Sequence, residues 1–230
     1  MKQKRVQVCQ DLLSRYNEEG PEMMERIVTG DEKWFYYHDP ASKQESREWR
    51  NVGSPPPLKV NTARSAGKRM ASVFWDRKGI LLIDWLPQNH SINAQYYCQL
   101  LLNLKEKIKQ ERRGKLSKGV LLLHDNARPH TANQTQTTLQ AIKFESLPHP
   151  PYSPDLAPSD YWLFAEMAKE ARGHKWSNIQ ELSGALGRWA KATQKEWYAK
   201  GIDPLPVRWQ RAISKRGDYI EAMQDSETDD

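Results

Sequence analysis

The period of the apolar positions changes several times along the chain, and each change marks an element. Over residues 5–26, Val8, Leu12, Leu13 and Tyr16 recur at helical spacing among charged residues. The run stops at Glu19-Gly20-Pro21, which predicts one amphipathic leader helix. Residues 26–37 are rich in aromatic and β-branched side chains and predict a strand in spite of Gly30. Residues 38–69 hold no sustained period; they contain Pro55-Pro56-Pro57 and six Lys or Arg after position 46. That composition predicts a long basic loop, and loops of this length are uncommon without a function. Residues 70–75 and 80–86 flank Asp76-Arg77-Lys78-Gly79, whose final glycine can take positive φ, so a hairpin of two antiparallel strands is expected.

Downstream, Tyr97, Leu101, Leu104 and Ile108 define the apolar face of a crossover helix over residues 93–113. Val120-Leu121-Leu122-Leu123 is continuously apolar, as a strand buried on both faces must be, and it ends at His124-Asp125. A helix over 131–142, a short strand over 144–147 and a proline-rich stretch over 148–158 follow, and the next helix opens with Ser159-Asp160. A last helix, 178–198, places Ile179, Leu182, Leu186 and Trp189 on one face, and the polar tail after Glu221 reads as disordered. Three antiparallel strands, then helix, strand, helix, strand, helix, is the order of the ribonuclease H-like fold: an α/β domain with a mixed five-stranded sheet flanked by helices. On this reading residues 26–221 form the domain, with the 38–69 loop inserted in it, residues 1–25 a leader or linker helix before it and 222–230 an acidic tail behind it.

Composition narrows the picture. A chain of 230 residues can bury one sizeable core, with 38% hydrophobic and 28% charged residues, which excludes a disordered or membrane-spanning protein. No apolar run approaches transmembrane length, and the start Met1-Lys2-Gln3-Lys4-Arg5 is not followed by the apolar core of a secretory signal, so an intracellular compartment is expected. Cys9 and Cys98 stand alone, which supports neither a disulfide framework nor a thiolate zinc site. The net charge is +6 although four acids sit in the last six residues, so the rest of the chain is more basic still. A polyanionic partner explains this, and so does an ordinary solvated basic surface.

The chain has no phosphate-binding loop, no Gly-x-Gly-x-x-Gly, no Gly-x-Ser-x-Gly elbow and no His-Glu-x-x-His, which removes nucleotide, serine-hydrolase and zinc-hydrolase readings. What remains is acids at element ends: Asp31 in the first strand, Asp125 at the end of the buried strand, and Asp160 in the first turn of a helix. Singly, each has a bland explanation as a turn residue or a dipole-complementing acid. Together they fit a site for two Mg²⁺ or Mn²⁺ ions, hard cations that prefer carboxylate oxygen and serve phosphodiester chemistry.

At this point the sequence resembles the mariner family of DNA transposases. Three blocks carry the resemblance: Val28-Thr29-Gly30-Asp31-Glu32-Lys33-Trp34, Leu123-His124-Asp125-Asn126-Ala127-Arg128-Pro129-His130, and the run from Leu147-Pro148-His149-Pro150-Pro151-Tyr152 through Ser153-Pro154-Asp155-Leu156-Ala157-Pro158-Ser159-Asp160-Tyr161. Between Asp125 and Asp160 lie 34 residues, the spacing that marks mariner proteins, and the likeness runs from about Arg5 to Glu221. The resemblance implies a catalytic and metal-binding triad of Asp31, Asp125 and Asp160, two Mg²⁺ or Mn²⁺ ions, DNA as partner, strand cleavage and transfer, a nuclear setting, and a homodimer in the full-length context. The family's paired helix-turn-helix domains and dimerising linker precede the region matched, so recognition of inverted repeats is not expected of this chain. The alternative class is a retained module that binds DNA or protein without transposition.

Asn126, Arg128 and His130 are further candidates for contact with phosphate or with the metal-binding carboxylates, against readings as a turn-forming Asn and a packed His. Asp155 reads as a loop or capping residue. The tryptophans read as packing, except Trp49 in the basic loop, which is placed to touch DNA or a partner subunit. The 105–118 segment and the basic loop are the expected phosphate-gripping surfaces.

Overall fold

The structure, a computed structural model, describes residues 1–38 and 67–221. The predicted basic loop with Trp49, apart from its ends, and the acidic tail 222–230 lie outside the described residues. Five strands form one mixed sheet: β1 (Ile27–Tyr36), β2 (Lys68–Asp76), β3 (Gly79–Trp85), β4 (Val120–Leu123) and β5 (Phe144–Ser146), in the order β3-β2-β1-β4-β5. The first three are antiparallel, while β1 with β4 and β4 with β5 are parallel, the ribonuclease H-like arrangement that the element order predicted. Before the sheet come α1 (Lys2–Glu19) and α2 (Glu22–Arg26). Helices α3 (Ala94–Glu111) and α4 (Lys115–Lys118) lead from β3 to β4, and α5 (Arg128–Thr131) and α6 (Asn133–Ile142) lead from β4 to β5. Then follow α7 (Phe164–Ala171), α8 (Ile179–Ala192), α9 (Lys195–Ile202) and α10 (Leu205–Ser214).

The pleat divides the core in two. Val28, Phe74, Val120 and Leu122 pack under α3 and α6, through Tyr97, Leu101, Leu104 and Leu139. Their neighbours Ile27, Val73, Trp75, Leu121 and Leu123 point to the other face, under Cys9 and Leu12 of α1 and the apolar faces of α7 to α10. This alternation is why both faces of β4 had to be apolar. Gly30 is a strand residue by necessity: the Phe74 ring lies across it, and a Cβ there would come within 2.3 Å of that ring. No helix among the described residues is long and apolar enough to cross a membrane.

The leader helix α1 ends at Gly20, whose φ is 71°, as the Glu19-Gly20-Pro21 exit predicts, and the rest of the leader forms the separate short helix α2. Two expectations are corrected. The helix expected over 131–142 is preceded by the single turn α5 and restarts after Ala132, whose extended ψ of 145° breaks the run. The helix expected over 178–198 is two helices, and α10 was not anticipated at all. Aromatic packing explains the second break. In one helix Trp189 and Trp197 would be separated by about 12 Å along the axis. The bend at Thr193 instead brings their rings to 5.6 Å edge to face, with Trp197 also against Tyr198.

Candidate active site

The site arises from strands of unequal length. Pairing of β1 with β4 ends at Thr29 opposite Leu123, while β1 continues beside β2 to Tyr36. Asp31 and Asp125, each two residues past that last pair, therefore stand together where β4 has run out, at the carboxyl end of a parallel pair where α/β sheets leave crevices. The strand period puts Asp31 on the same face as Ile27, toward α7. The third carboxylate arrives on that face from outside the sheet. Asp160 sits in a single π-helical turn, Ser159–Leu163, that leads into α7 and is moored to β2 by a hydrogen bond from Trp75 Nε1 to Ser159 Oγ (3.1 Å). Asp31, Asp125 and Asp160 line one open cavity of about 650 Å³, together with Glu32, Arg128 and Tyr152.

Electrostatics sets two of these acids apart. Burial and then the negative charge of Asp160 push the Asp31 carboxyl up to about 8; Glu32 and Asp125 add to this, and the hydrogen bond that Asp31 accepts from the Glu32 backbone N–H offsets it only in part. Asp160 is raised by burial, with Asp125 adding and Lys33 opposing. Asp125 is held below the ordinary carboxylate range, first by its hydrogen bond with His130. His130 Nδ1 lies 2.6 Å from Asp125 Oδ1 and Nε2 lies 3.5 Å from Glu32 Oε2. Burial opposes the imidazolium, but the hydrogen bonds and charges of Asp125 and Glu32 prevail and raise it to about 9.

The donors suit a hard divalent cation in kind: oxygen ligands facing one cavity, two of them raised by burial and by neighbouring carboxylates, with Lys33 only partly offsetting the rise at Asp160. Among the described residues no group of three His, Cys, Asp or Glu side chains is placed to hold a metal ion as it stands, and what the three aspartates share is the cavity.

The other expected residues separate. Asn126 is exposed and lines the cavity, while its amide nitrogen donates to the His149 carbonyl (2.6 Å) and pins the loop after β4 to the proline-rich stretch. Arg128 is exposed on the cavity wall. His130 is buried and bridges Asp125 and Glu32, with its ring tilted 4.0 Å from that of Tyr97 and stacked 5.0 Å from that of His124. The 105–118 segment is only partly available to phosphate. Arg112 Nε and Lys115 Nζ each lie 3.0 Å from the buried Asp76, and Lys115 also donates to the carbonyls of Glu25 and Ile27, at the start of β1.

Sequence reasoning missed Glu32, the second anchor of His130, and Lys33, which lies over the Phe164 ring beside Asp160. Both are neighbours of Asp31 in the chain, the signal that was there to use. It also underrated Asp155. This acid is buried, takes a bidentate pair from Arg5 of α1 (2.9 and 2.7 Å) and the backbone N–H of Ile220, and its own carbonyl accepts from Arg208 of α10. Arg208 in turn lies 3.6 Å over the Tyr161 ring. The loop that delivers Asp160 is thus bolted to the first and last helices of the domain.

A ribonuclease H-like sheet with carboxylates gathered where its central parallel strand stops defines a class, the catalytic domains that process nucleic acids at acidic sites. A family model described as "Transposase (partial DDE domain)" matches residues 39–118. The Mariner Mos1 transposase of Drosophila mauritiana is 36% identical over 221 residues, covering 95% of this chain and 63% of that protein. The human histone-lysine N-methyltransferase SETMAR is 31% identical over 221 residues, covering 96% of this chain and 32% of that protein. The chain therefore spans less than two thirds of either relative. The crystal structure of the catalytic domain of Mos1 mariner transposase superposes with a TM-score of 0.79 at 34% identity, covering 96% of this chain and 95% of that one. The Mos1 paired end complex with Mn gives a TM-score of 0.85 at 36% identity, covering 96% of this chain and 64% of that one. The chain belongs to the mariner transposase family and corresponds to its catalytic domain.

Proposed function

We propose that this chain cuts and joins DNA strands, with Asp31, Asp125 and Asp160 as the ligands of two Mg²⁺ or Mn²⁺ ions. The observation that carries the reading is the shared cavity lined by Asp31, Asp125 and Asp160, in which burial and neighbouring carboxylates raise Asp31 and Asp160 above the ordinary carboxylate range, so that a bound cation would be what lets both ionise. Such ions, when bound, activate an attacking water or 3′-hydroxyl and stabilise the leaving oxygen of an in-line displacement. The protein's own contribution is placement. Asp31 is set by β1 and the Glu32 N–H, Asp125 by His130 and by the Ala127 N–H (2.9 Å), and Asp160 by the π-turn that Trp75 moors. Arg128 offers a cation to a phosphate beside the cavity, and His130 keeps Asp125 aimed by holding it against Glu32.

DNA is the proposed substrate and partner; Mos1 has been solved with a transposon end and as a strand transfer complex, and with Mn and with Mg. In the full-length context we infer a homodimer acting in the nucleus. The test is nicking of supercoiled DNA at matched salt, with and without a chelator. With Mn²⁺ or Mg²⁺ the wild-type chain is expected to nick, and Asp125→Asn to lower nicking by roughly 100- to 1,000-fold while leaving DNA binding within about twofold. Equal nicking by both proteins would place the activity outside these residues, and binding without nicking by the wild type would favour a binding module.

A further inference from the structure

The reading of this chain as a DNA-cutting domain leaves one residue of the cavity wall unused. Tyr152 is 76% exposed, the most exposed large apolar side chain among the described residues. It shares the cavity with all three aspartates. Its backbone adopts φ +51°, a left-handed conformation that a bulky side chain rarely takes, and this strain is held by its surroundings. Pro150, Pro151 and Pro154 stiffen the loop, the Tyr219 hydroxyl donates to the Tyr152 carbonyl (2.9 Å), and Ser153 Oγ donates to the Pro151 carbonyl (3.0 Å). Three residues on, the buried Asp155 is locked to Arg5 and Ile220. A loop this constrained could turn the ring inward against the core; it turns it outward, with no hydrogen bond from the phenol among the described residues.

We propose that Tyr152 is a stacking platform for one unpaired nucleobase of the strand that enters the cavity. The inference rests on the DNA-cutting reading. Asp31, mid-strand in β1, is only partly exposed in the cavity it shares with Asp125 and Asp160, and a phosphodiester inside a regular duplex cannot reach it without local opening, which leaves a base in need of a flat apolar surface. An aromatic ring fixed beside the acids supplies that surface without regard to base identity, because every base offers a π-face. Rigidity is what makes the ring effective: a ring already held in place loses little freedom on stacking.

The test uses the full chain in chelator, so that binding is read without cutting, and a DNA duplex with a short single-stranded gap carrying 2-aminopurine at successive positions. Wild type and Tyr152→Phe are expected to quench fluorescence at one position of the gap. Tyr152→Gly suits the positive φ and so keeps the loop fold; it is expected to abolish that quench and weaken binding to gapped DNA about 10-fold while leaving intact-duplex affinity unchanged. Quenching retained in Tyr152→Gly, equal weakening toward gapped and intact DNA, or a change in self-association by sedimentation in place of any base effect would each overturn the proposal. Failure of the wild type to nick in the separate plasmid assay would count against the cutting reading and leave the stacking result standing.

Discussion

Two kinds of recessed aspartate stand in this molecule, and the contrast separates architecture from chemistry. Asp76 and Asp155 carry their counter-ions within the fold: Asp76 faces Arg112 and Lys115, and Asp155 faces both nitrogens of the Arg5 fork. Burial alone would raise Asp76, but Lys115 and Arg112 outweigh it and hold the carboxyl below its ordinary range. Asp31 has the opposite company. Its nearest charges are Asp160, Glu32 and Asp125, and its carboxyl moves up. Carboxylates that serve the fold arrive already neutralised, whereas Asp31 is crowded by other carboxylates, with no cation of the fold among the groups that shift it.

The sharpest way to break this comparison is to remove a counter-ion from the first kind. Arg5 and Asp155 side chains are 4% and 5% exposed, so Arg5→Ala strands a buried charge and is expected to cost about 3–5 kcal/mol in urea unfolding. Asp31→Asn, measured in chelator, is expected to leave stability unchanged or to raise it. A loss for Asp31→Asn as large as that for Arg5→Ala would erase the distinction between the two kinds.

A smaller effect follows from pH, with opposite signs for the two kinds. Asp76 is lowered in the folded state, so its contribution is present above about pH 4 and is lost as pH falls through the folded value. Asp31 is raised to about 8, so the folded chelated protein holds a proton that the unfolded chain releases near pH 4, and stability declines as pH climbs through that window. Urea melts across pH are expected to show Asp31→Asn flattening the decline between about pH 4 and pH 8, and Mg²⁺ flattening it in the wild type. A wild-type slope unchanged by Asp31→Asn would assign the decline to other groups.

Smallest is the salt effect. Arg128 faces the cavity mouth, while Lys115 is tied to Asp76. Arg128→Ala is expected to reduce the slope of log affinity for DNA against log salt by roughly 1, and Lys115→Ala to lower stability without changing that slope. Equal slopes for wild type and Arg128→Ala would remove Arg128 from the DNA surface.

Much of this was legible before the structure, and for a local reason. The aromatic and β-branched content of β1, the hairpin glycine and the doubly apolar β4 are signals carried by adjacent residues, and they locate the place where Asp31 and Asp125 meet. The long apolar run of β4 also announced that helices cover both faces. What stayed hidden depends on distance. Nothing near Asp155 in the chain announces Arg5, 150 positions away. The split between α8 and α9 comes from Trp197 meeting Trp189 and Trp162, a tertiary preference that overrides an unbroken helical period. α10 opens with Leu205-Pro206, a helix-start signal that no apolar period announced beforehand. The three aspartates could be named from their blocks, while the role of His130 needed coordinates, since its two partners come from β1 and from the turn after β4.

The central claim is that the charge missing from this cavity is supplied by divalent metal. Crystals of the chain grown with Mn²⁺ and measured at the manganese absorption edge test it directly. The account predicts two anomalous peaks, about 4 Å apart, bounded by the carboxylates of Asp31, Asp125 and Asp160, and their loss in Asp31→Asn. Full manganese occupancy elsewhere on the chain with none between these three aspartates would contradict it.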